Sequence, residues 1–194
     1  MVAQLSRRAV FLDRDGVINR TKVFDGKPYA PRSLKDFKLL PKVSSAVRTL
    51  KELGFSIYVI TNQPDIGNGL VEQTVVDSMH EKLRSKIDVD EILVCPHRQT
   101  DGCNCRKPKP GMLLSAASRH GINLQESFLV GDRLSDVLSG NAVGCYTLFI
   151  RRGKGYGENN RSPIPANVIV RSLPDAVRHI LSKQQPNVCP PGDQ

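Results

Sequence analysis

Tryptophan is absent from this chain of 194 residues, and aromatic residues make up only 5% of it. No run of aromatics alternates with basic residues, so the stacking platform that single-stranded nucleic acids use is missing and nucleic acid is disfavoured as a partner. No apolar stretch approaches the ~20 residues that a bilayer-spanning helix requires. The N-terminal MVAQLSRRAV lacks a signal peptide's apolar centre and leads directly into the first expected strand, which points to a cytoplasmic protein without a membrane partner. Internal repeats and low-complexity tracts are also missing. Acidic residues are the scarcer charge, 19 Asp and Glu against 28 Lys and Arg, and the formal charge of +9 favours an anionic partner. Lys35, Lys38 and Lys42 read as solvated surface. Arg98, Arg106, Lys107 and Lys109, then Arg151, Arg152 and Lys154, cluster near the segments discussed below and suit a small phosphorylated ligand.

What is present is an alternation of strand and helix signals. Ala9 to Leu12 is a short apolar run. Pro41 can open a helix bearing Val43, Ala46, Val47, Leu50 and Leu53 at helical spacing, closed by Gly54. Strands are expected at Phe55 to Ile60, Glu91 to Val94, Ser127 to Val130, Cys145 to Ile150 and Asn167 to Val170. Helices are expected from about Val71 to Ile87, after Pro110, from Leu134 to Ala142 and from Leu173 to Leu181. This pattern predicts an α/β three-layer sandwich with a mainly parallel sheet. One domain spans 1–183, and the polar, Pro-containing tail 184–194 is expected to be disordered.

The chemistry starts at Phe11-Leu12-Asp13-Arg14-Asp15-Gly16. Side chains alternate along a strand, so Asp13 and Asp15 can face one point at the strand's C-terminal edge, where open α/β sheets bind ligands. Converging carboxylates repel unless a cation or proton lies between them, and a hard divalent ion such as Mg2+ would also hold a phosphoryl group. The plainer alternative is a polar turn, since Asp and Gly favour turns for local reasons. Thr61-Asn62 and Asp132 with Asp136 also fall at strand ends. Parallel strands put those ends on one edge, so the three polar clusters can meet.

Through D-R-D-G-V, T-N, R-K-P-K-P and G-D-R-L-S-D, in that order over about 8–150, the chain resembles the haloacid dehalogenase-like superfamily of aspartate-nucleophile phosphatases. That resemblance implies a cap-less fold in which Asp13 attacks phosphorus and Asp15 serves as acid and then base. It further implies that Asp13, the main-chain carbonyl of Asp15 and Asp132 hold Mg2+. Thr61, Asn62, Lys107 and Arg106 would contact the phosphoryl group, with Asp136 and Arg133 behind them and Asp136 orienting the ion or Lys107.

Cys95-Pro96-His97 and Cys103-Asn104-Cys105 place three thiols and an imidazole within eleven positions. Soft donors at this spacing suit tetrahedral Zn2+, with all four positions filled by protein and none left for catalytic water. A disulfide or free surface thiols are the rival readings; a reducing compartment weighs against the first and the clustering against the second. Cys145 reads as core, and His80, His120 and His179 as surface residues of helices or their ends. The zinc loop, 95–105, leads into Arg106-Lys107. Within the superfamily, C-x-H, C-x-C-R-K-P and D-R-D-G-V-I-N together resemble the D-glycero-D-manno-heptose 1,7-bisphosphate phosphatases, relatives of the histidinol-phosphate phosphatases. The implied reaction is removal of the 7-phosphate of a small sugar bisphosphate by a monomeric enzyme. Histidinol phosphate or another small monoester is the alternative, and a zinc-stapled nucleic-acid module a distant one. Ile66-Gly67-Asn68-Gly69 stands where those heptose enzymes commonly carry an Arg, and the five residues between His97 and Cys103 make a short loop.

Overall fold

A computed structural model of the protein describes residues 7–152 and 164–184. Six strands form one sheet in which every neighbouring pair is parallel. They are β1 (Ala9–Leu12), β4 (Ser56–Asn62), β5 (Glu91–Cys95), β6 (Phe128–Gly131), β7 (Tyr146–Ile150) and β8 (Val168–Val170), in the order β5-β4-β1-β6-β7-β8. β2 (Lys22–Phe24) and β3 (Lys27–Tyr29) form a separate antiparallel hairpin after β1. The helices are α1 (Val43–Glu52), α2 (Pro64–Gly67), α3 (Gln73–Arg84), α4 (Gly111–His120), α5 (Leu134–Asn141) and α6 (Leu173–Gln184). No described helix is long and apolar enough to cross a membrane.

Why the strands form is visible in β1, whose four residues are fully buried. Val10 and Leu12 point into one core with Val47 and Leu50 of α1, Met79 and Leu83 of α3 and Ile180 of α6. Ala9 and Phe11 point into the other, with Met112, Leu113 and Ala116 of α4. A strand covered on both faces needs a continuous apolar run rather than an alternating one, and A-V-F-L supplies it. Burying each of the larger side chains contributes roughly 1.5–3 kcal/mol, so the sheet's centre is anchored by this short segment. The expected three layers are present, with β1 where the sequence reading put it and the ends of the other expected elements within three residues.

Three local differences matter. α1 begins at Val43, preceded by Lys42 with φ of 62°, so Pro41 lies ahead of the helix rather than opening it. β4 continues through Thr61 and Asn62, because Asn62 pairs with Cys95 at the end of β5. Gln184 belongs to α6, and the remainder of the expected tail lies outside the described residues, as does most of the basic loop after Arg152. The hairpin was not expected: its strands are three residues long and largely exposed, which leaves no burial pattern to read.

Candidate active site

The register of the three central strands sets out the site. Leu12 pairs with Val59 on one side and Val130 on the other. Two residues beyond that row stand Thr61 and Asp132, and Asp13 is tied to β6 by its amide, which donates to Val130 O at 2.9 Å. The chain leaves β6 and β4 in opposite directions across the sheet, so these ends border the crevice where α/β sheets place ligands. A cleft of about 720 Å³ opens there, lined by Asp13, Asp15, Thr61, Asn62, Arg106, Lys107, Asp132 and Arg133, with Lys27 and Tyr29 of the hairpin at its rim. All the sequence-predicted phosphoryl-site residues are thus brought together except Asp136, which sits behind them.

Carboxylate oxygens of Asp13, Asp132 and Asp136 lie within 4.8 Å of one another, and all three residues are buried. Lys107 Nζ stands among them, 2.8 Å from Asp13 Oδ1 and 2.6 Å from Asp136 Oδ1, and also donates to Ile60 O at 2.9 Å. Asp136 Oδ2 accepts from the Arg133 amide at 2.9 Å, so both its oxygens are committed to orienting neighbours. Gly131 makes this possible, since a Cβ there would lie 2.2 Å from the Asp136 side chain. Burial pushes Asp13 up to about 6, with Lys107 opposing the shift and Asp136 and Asp15 adding to it. Burial would lower Lys107, but Asp13 and Asp136 together raise it above the ordinary lysine range, so it stays a cation. Among the described residues, four buried carboxylates, Asp13, Asp15, Asp132 and Asp136, gather with two buried cations, Arg14 and Lys107. This excess of hard oxygen donors at close spacing fits one divalent cation such as Mg2+.

Asp15 is gripped differently. Its Oδ2 accepts from Arg14 Nη2 at 2.9 Å, Arg14 Nε at 3.1 Å and Gln63 Nε2 at 2.7 Å, and its Oδ1 from Asn19 Nδ2 at 2.8 Å. Burial alone would raise Asp15, yet Arg14 and the Asn19 and Gln63 bonds override it and hold the carboxylate below its usual range. Gln63 Nε2 also donates to Thr61 Oγ1 at 2.7 Å, linking two of the expected clusters. Gly16 turns the chain just after the acid with φ of 92°, a conformation that favours glycine.

The basic loop is fastened to the sheet by Asn62. Its Nδ2 donates to Lys107 O and its Oδ1 accepts from the Lys107 amide, each at 3.1 Å. Arg106 Nη1 is buried beside the cleft with no hydrogen-bond partner among the described residues. Arg133 donates from Nη2 to Pro28 O at 3.0 Å, pinning the hairpin to the start of α5.

Cys95, His97, Cys103 and Cys105 also converge, with ligating atoms within 4.8 Å of one another. Cys103 Sγ is 3.6 Å from both Cys95 Sγ and Cys105 Sγ, while His97 Nδ1 is 3.2 Å from Cys105 Sγ and 3.7 Å from Cys95 Sγ. No disulfide joins them. A tetrahedral zinc with Zn–S bonds of about 2.3 Å sets its sulfurs about 3.8 Å apart, so the donors already have the spacing the ion needs. Burial raises the Cys95 thiol to about 12.

A family model described as HAD-hydrolase-like matches residues 104–176. The D-glycero-beta-D-manno-heptose-1,7-bisphosphate 7-phosphatase of Pseudomonas aeruginosa is 34% identical over 171 residues, covering 86% of this chain and 93% of that protein. Its namesake in Escherichia coli K12 is 34% identical over 191 residues, covering 92% and 96%. The crystal structure of D,D-heptose 1,7-bisphosphate phosphatase from B. bronchiseptica, complexed with magnesium and phosphate, is similar with a TM-score of 0.80 and 28% identity, covering 91% of this chain and 99% of that one. The chain belongs to this haloacid dehalogenase-like phosphatase family.

The sequence reading gave no role to Arg14, Asn19 or Gln63. Arg14 is fully buried. A signal existed: a charge at the end of a strand covered on both faces has to be paired, and the adjacent acid is the nearest partner. His80, expected at the surface, is only 6% exposed, because Arg14 Nη1 donates to its Nε2 at 3.0 Å and draws it inward. Burial and the Arg14 charge lower His80 to about 4. His120 and His179 stay partly exposed, and Cys145 is core as expected.

Proposed function

We propose that this chain is a Mg2+-dependent phosphatase that removes the 7-phosphate of D-glycero-D-manno-heptose 1,7-bisphosphate through an aspartyl-phosphate on Asp13. The observation that carries the reading is the buried set of Asp13, Asp132 and Lys107, one nucleophile held between a cation site and a fixed positive charge. Asp13 Oδ attacks phosphorus as the bond to the sugar oxygen breaks, and Asp15, a carboxylate before substrate binds that takes up a proton once the anionic phosphate lies beside it, gives that proton to the leaving oxygen. Asp15, now a carboxylate, takes a proton from water as the water oxygen attacks the acyl-phosphate, releasing inorganic phosphate and regenerating both acids. Asp13, Asp132 and the Asp15 main-chain carbonyl would hold Mg2+, which when bound offsets charge on the phosphoryl oxygens. Thr61, the Asn62 main-chain amide and Arg106 donate to the same oxygens, and Lys107, its protons already given to Asp13, Asp136 and Ile60 O, adds fixed positive charge beside them; the buried Arg106 Nη1 supports the role of Arg106. Asp136 and Arg133 stand behind them, Asp136 orienting Lys107 and Arg133 the hairpin.

Zn2+ at Cys95, His97, Cys103 and Cys105 is structural in this reading. It fixes the loop that ends in Arg106 and Lys107, and its need for reduced thiols suits the cytoplasm. One copy of a single domain carries every residue of the site, which supports a monomer as the working unit.

Heptose rather than histidinol phosphate is supported by the likeness to the curated heptose phosphatases over nearly their whole length. Asn19, the last residue of D-R-D-G-V-I-N, also bonds directly to Asp15. Comparing kcat/KM for heptose 1,7-bisphosphate, histidinol phosphate and p-nitrophenyl phosphate tests the assignment. Preference for the bisphosphate, abolished in Asp13→Asn, is expected; equal and poor values for the first two would reject the substrate.

A further inference from the structure

We propose that His80 is a positioning residue for Asp15, acting through Arg14. The inference rests on the reading of Asp15 as the proton donor to the leaving oxygen. Arg14 has its guanidinium wholly buried, and its nitrogens divide between two partners: Nε and Nη2 go to Asp15, Nη1 to His80. A guanidinium carries donors only, so the bond to His80 requires the ring's Nε2 to be unprotonated and its remaining proton to sit on Nδ1. The face of Phe37 lies 5.7 Å from the guanidinium carbon and closes another side of it.

Each contact has a separate consequence. The paired contacts to Asp15 set the direction of its carboxylate, but a guanidinium held at one end can still pivot. His80, projecting from α3, supplies the second fixed point and sets the plane in which Arg14 presents itself. Without an acceptor there, Nη1 becomes an unpaired buried donor, which costs about 1–3 kcal/mol and gives Arg14 reason to move. Asp15 would then lose its alignment with the leaving oxygen while Asp13, Lys107 and Asp132, none of which His80 touches, keep theirs. Helix α3 would thereby control one chemical step without lining the cleft.

The leaving group gives a readout that general loosening would not produce. A sugar alkoxide needs its proton as the bond to phosphorus breaks, whereas p-nitrophenolate departs without one. kcat/KM covers the steps through departure of that first product, so the later hydrolysis, common to both esters, does not enter it. His80→Met removes the acceptor at similar volume, and His80→Gln restores an acceptor oxygen at similar reach. In His80→Met, kcat/KM for heptose 1,7-bisphosphate should fall about tenfold or more, part of the 10²–10⁴ that a positioned acid supplies, and that for p-nitrophenyl phosphate less than about threefold. His80→Gln should recover most of the loss. Parallel loss on both esters, or no loss on either, would overturn the inference while leaving the phosphatase reading intact. Wild-type protein inert toward both esters would overturn the two together. If His80→Met does not fold, nitrogen-resolved NMR of the unaltered protein decides: separate, slowly exchanging Arg14 Nη signals support the clamp, and a single averaged signal overturns it.

Discussion

Replacing Lys107 with Met tests how the acids of the site tolerate one another. Lys107 Nζ lies 2.8 Å from Asp13 and 2.6 Å from Asp136, and all three side chains are buried. At an effective dielectric of about 20, each contact is worth roughly 6 kcal/mol of Coulomb attraction before the cost of burying the charges is taken out. Removing one partner of a buried pair leaves a bare charge, and the net loss is about 3–5 kcal/mol. Metal-free Lys107→Met should therefore be less stable than wild type by that amount in urea or guanidinium titrations. Mg2+ should restore part of the loss, because a cation that binds only the folded state adds about 2.7 kcal/mol at a hundredfold excess over its Kd. Activity should not recover with it, since kcat/KM loses about 10²–10³ when one preorganised electrostatic contact is removed. Metal-free Lys107→Met within about 1 kcal/mol of wild type, or with kcat/KM within about threefold, would refute the reasoning.

Other expectations follow from the same geometry. Unfolded histidine titrates near 6.5 and folded His80 near 4, so as pH falls through that window the unfolded chain takes up a proton that the folded one refuses. Stability from this group is complete above about 6.5 and declines by about 3 kcal/mol toward pH 4. Denaturant midpoints across pH should therefore fall more steeply in wild type than in His80→Gln, and identical slopes would argue against a neutral buried imidazole. Elemental analysis should find about one zinc per chain, and Cys103→Ser or a strong chelator should lower Tm and activity together; metal-free, fully active protein would dismiss the structural zinc. Gly131→Ala, whose Cβ would lie 2.2 Å from Asp136, should displace that carboxylate and cost about 1–3 kcal/mol together with activity. A crystal structure of the variant showing Asp136 still on Lys107 would count against that account.

The parallel sheet was legible because its strands are short apolar runs bounded by turn residues, and β1 shows why: both faces are covered, so every position has to be apolar. Asp13, Asp15, Thr61, Asn62 and Asp132 were legible because each sits where such a run stops, whereas Lys107, in a loop well past β5, was legible only through the likeness of R-K-P-K-P to the superfamily. What escaped was whatever depends on a partner far away in sequence. Asn62 continues β4 only because Cys95 is there to pair with it, which joins the phosphoryl site to the cysteine cluster through one strand pair. His80 looked like a polar helix residue, and nothing within α3 tells that a buried arginine from β1's end meets it. The hairpin at 22–29 buries too little to leave a periodic signature, yet it carries Lys27 and Tyr29 to the cleft.

The most direct test of the central claim is chemical trapping of Asp13 during turnover. Quenching the reaction in acid and reducing with borohydride converts an aspartyl-phosphate to homoserine, which peptide mass spectrometry locates. Homoserine is expected at position 13, dependent on both substrate and Mg2+ and absent at Asp15, Asp132 and Asp136. Steady turnover with no modified aspartate at 13, or with the modification at another acid, would contradict that claim.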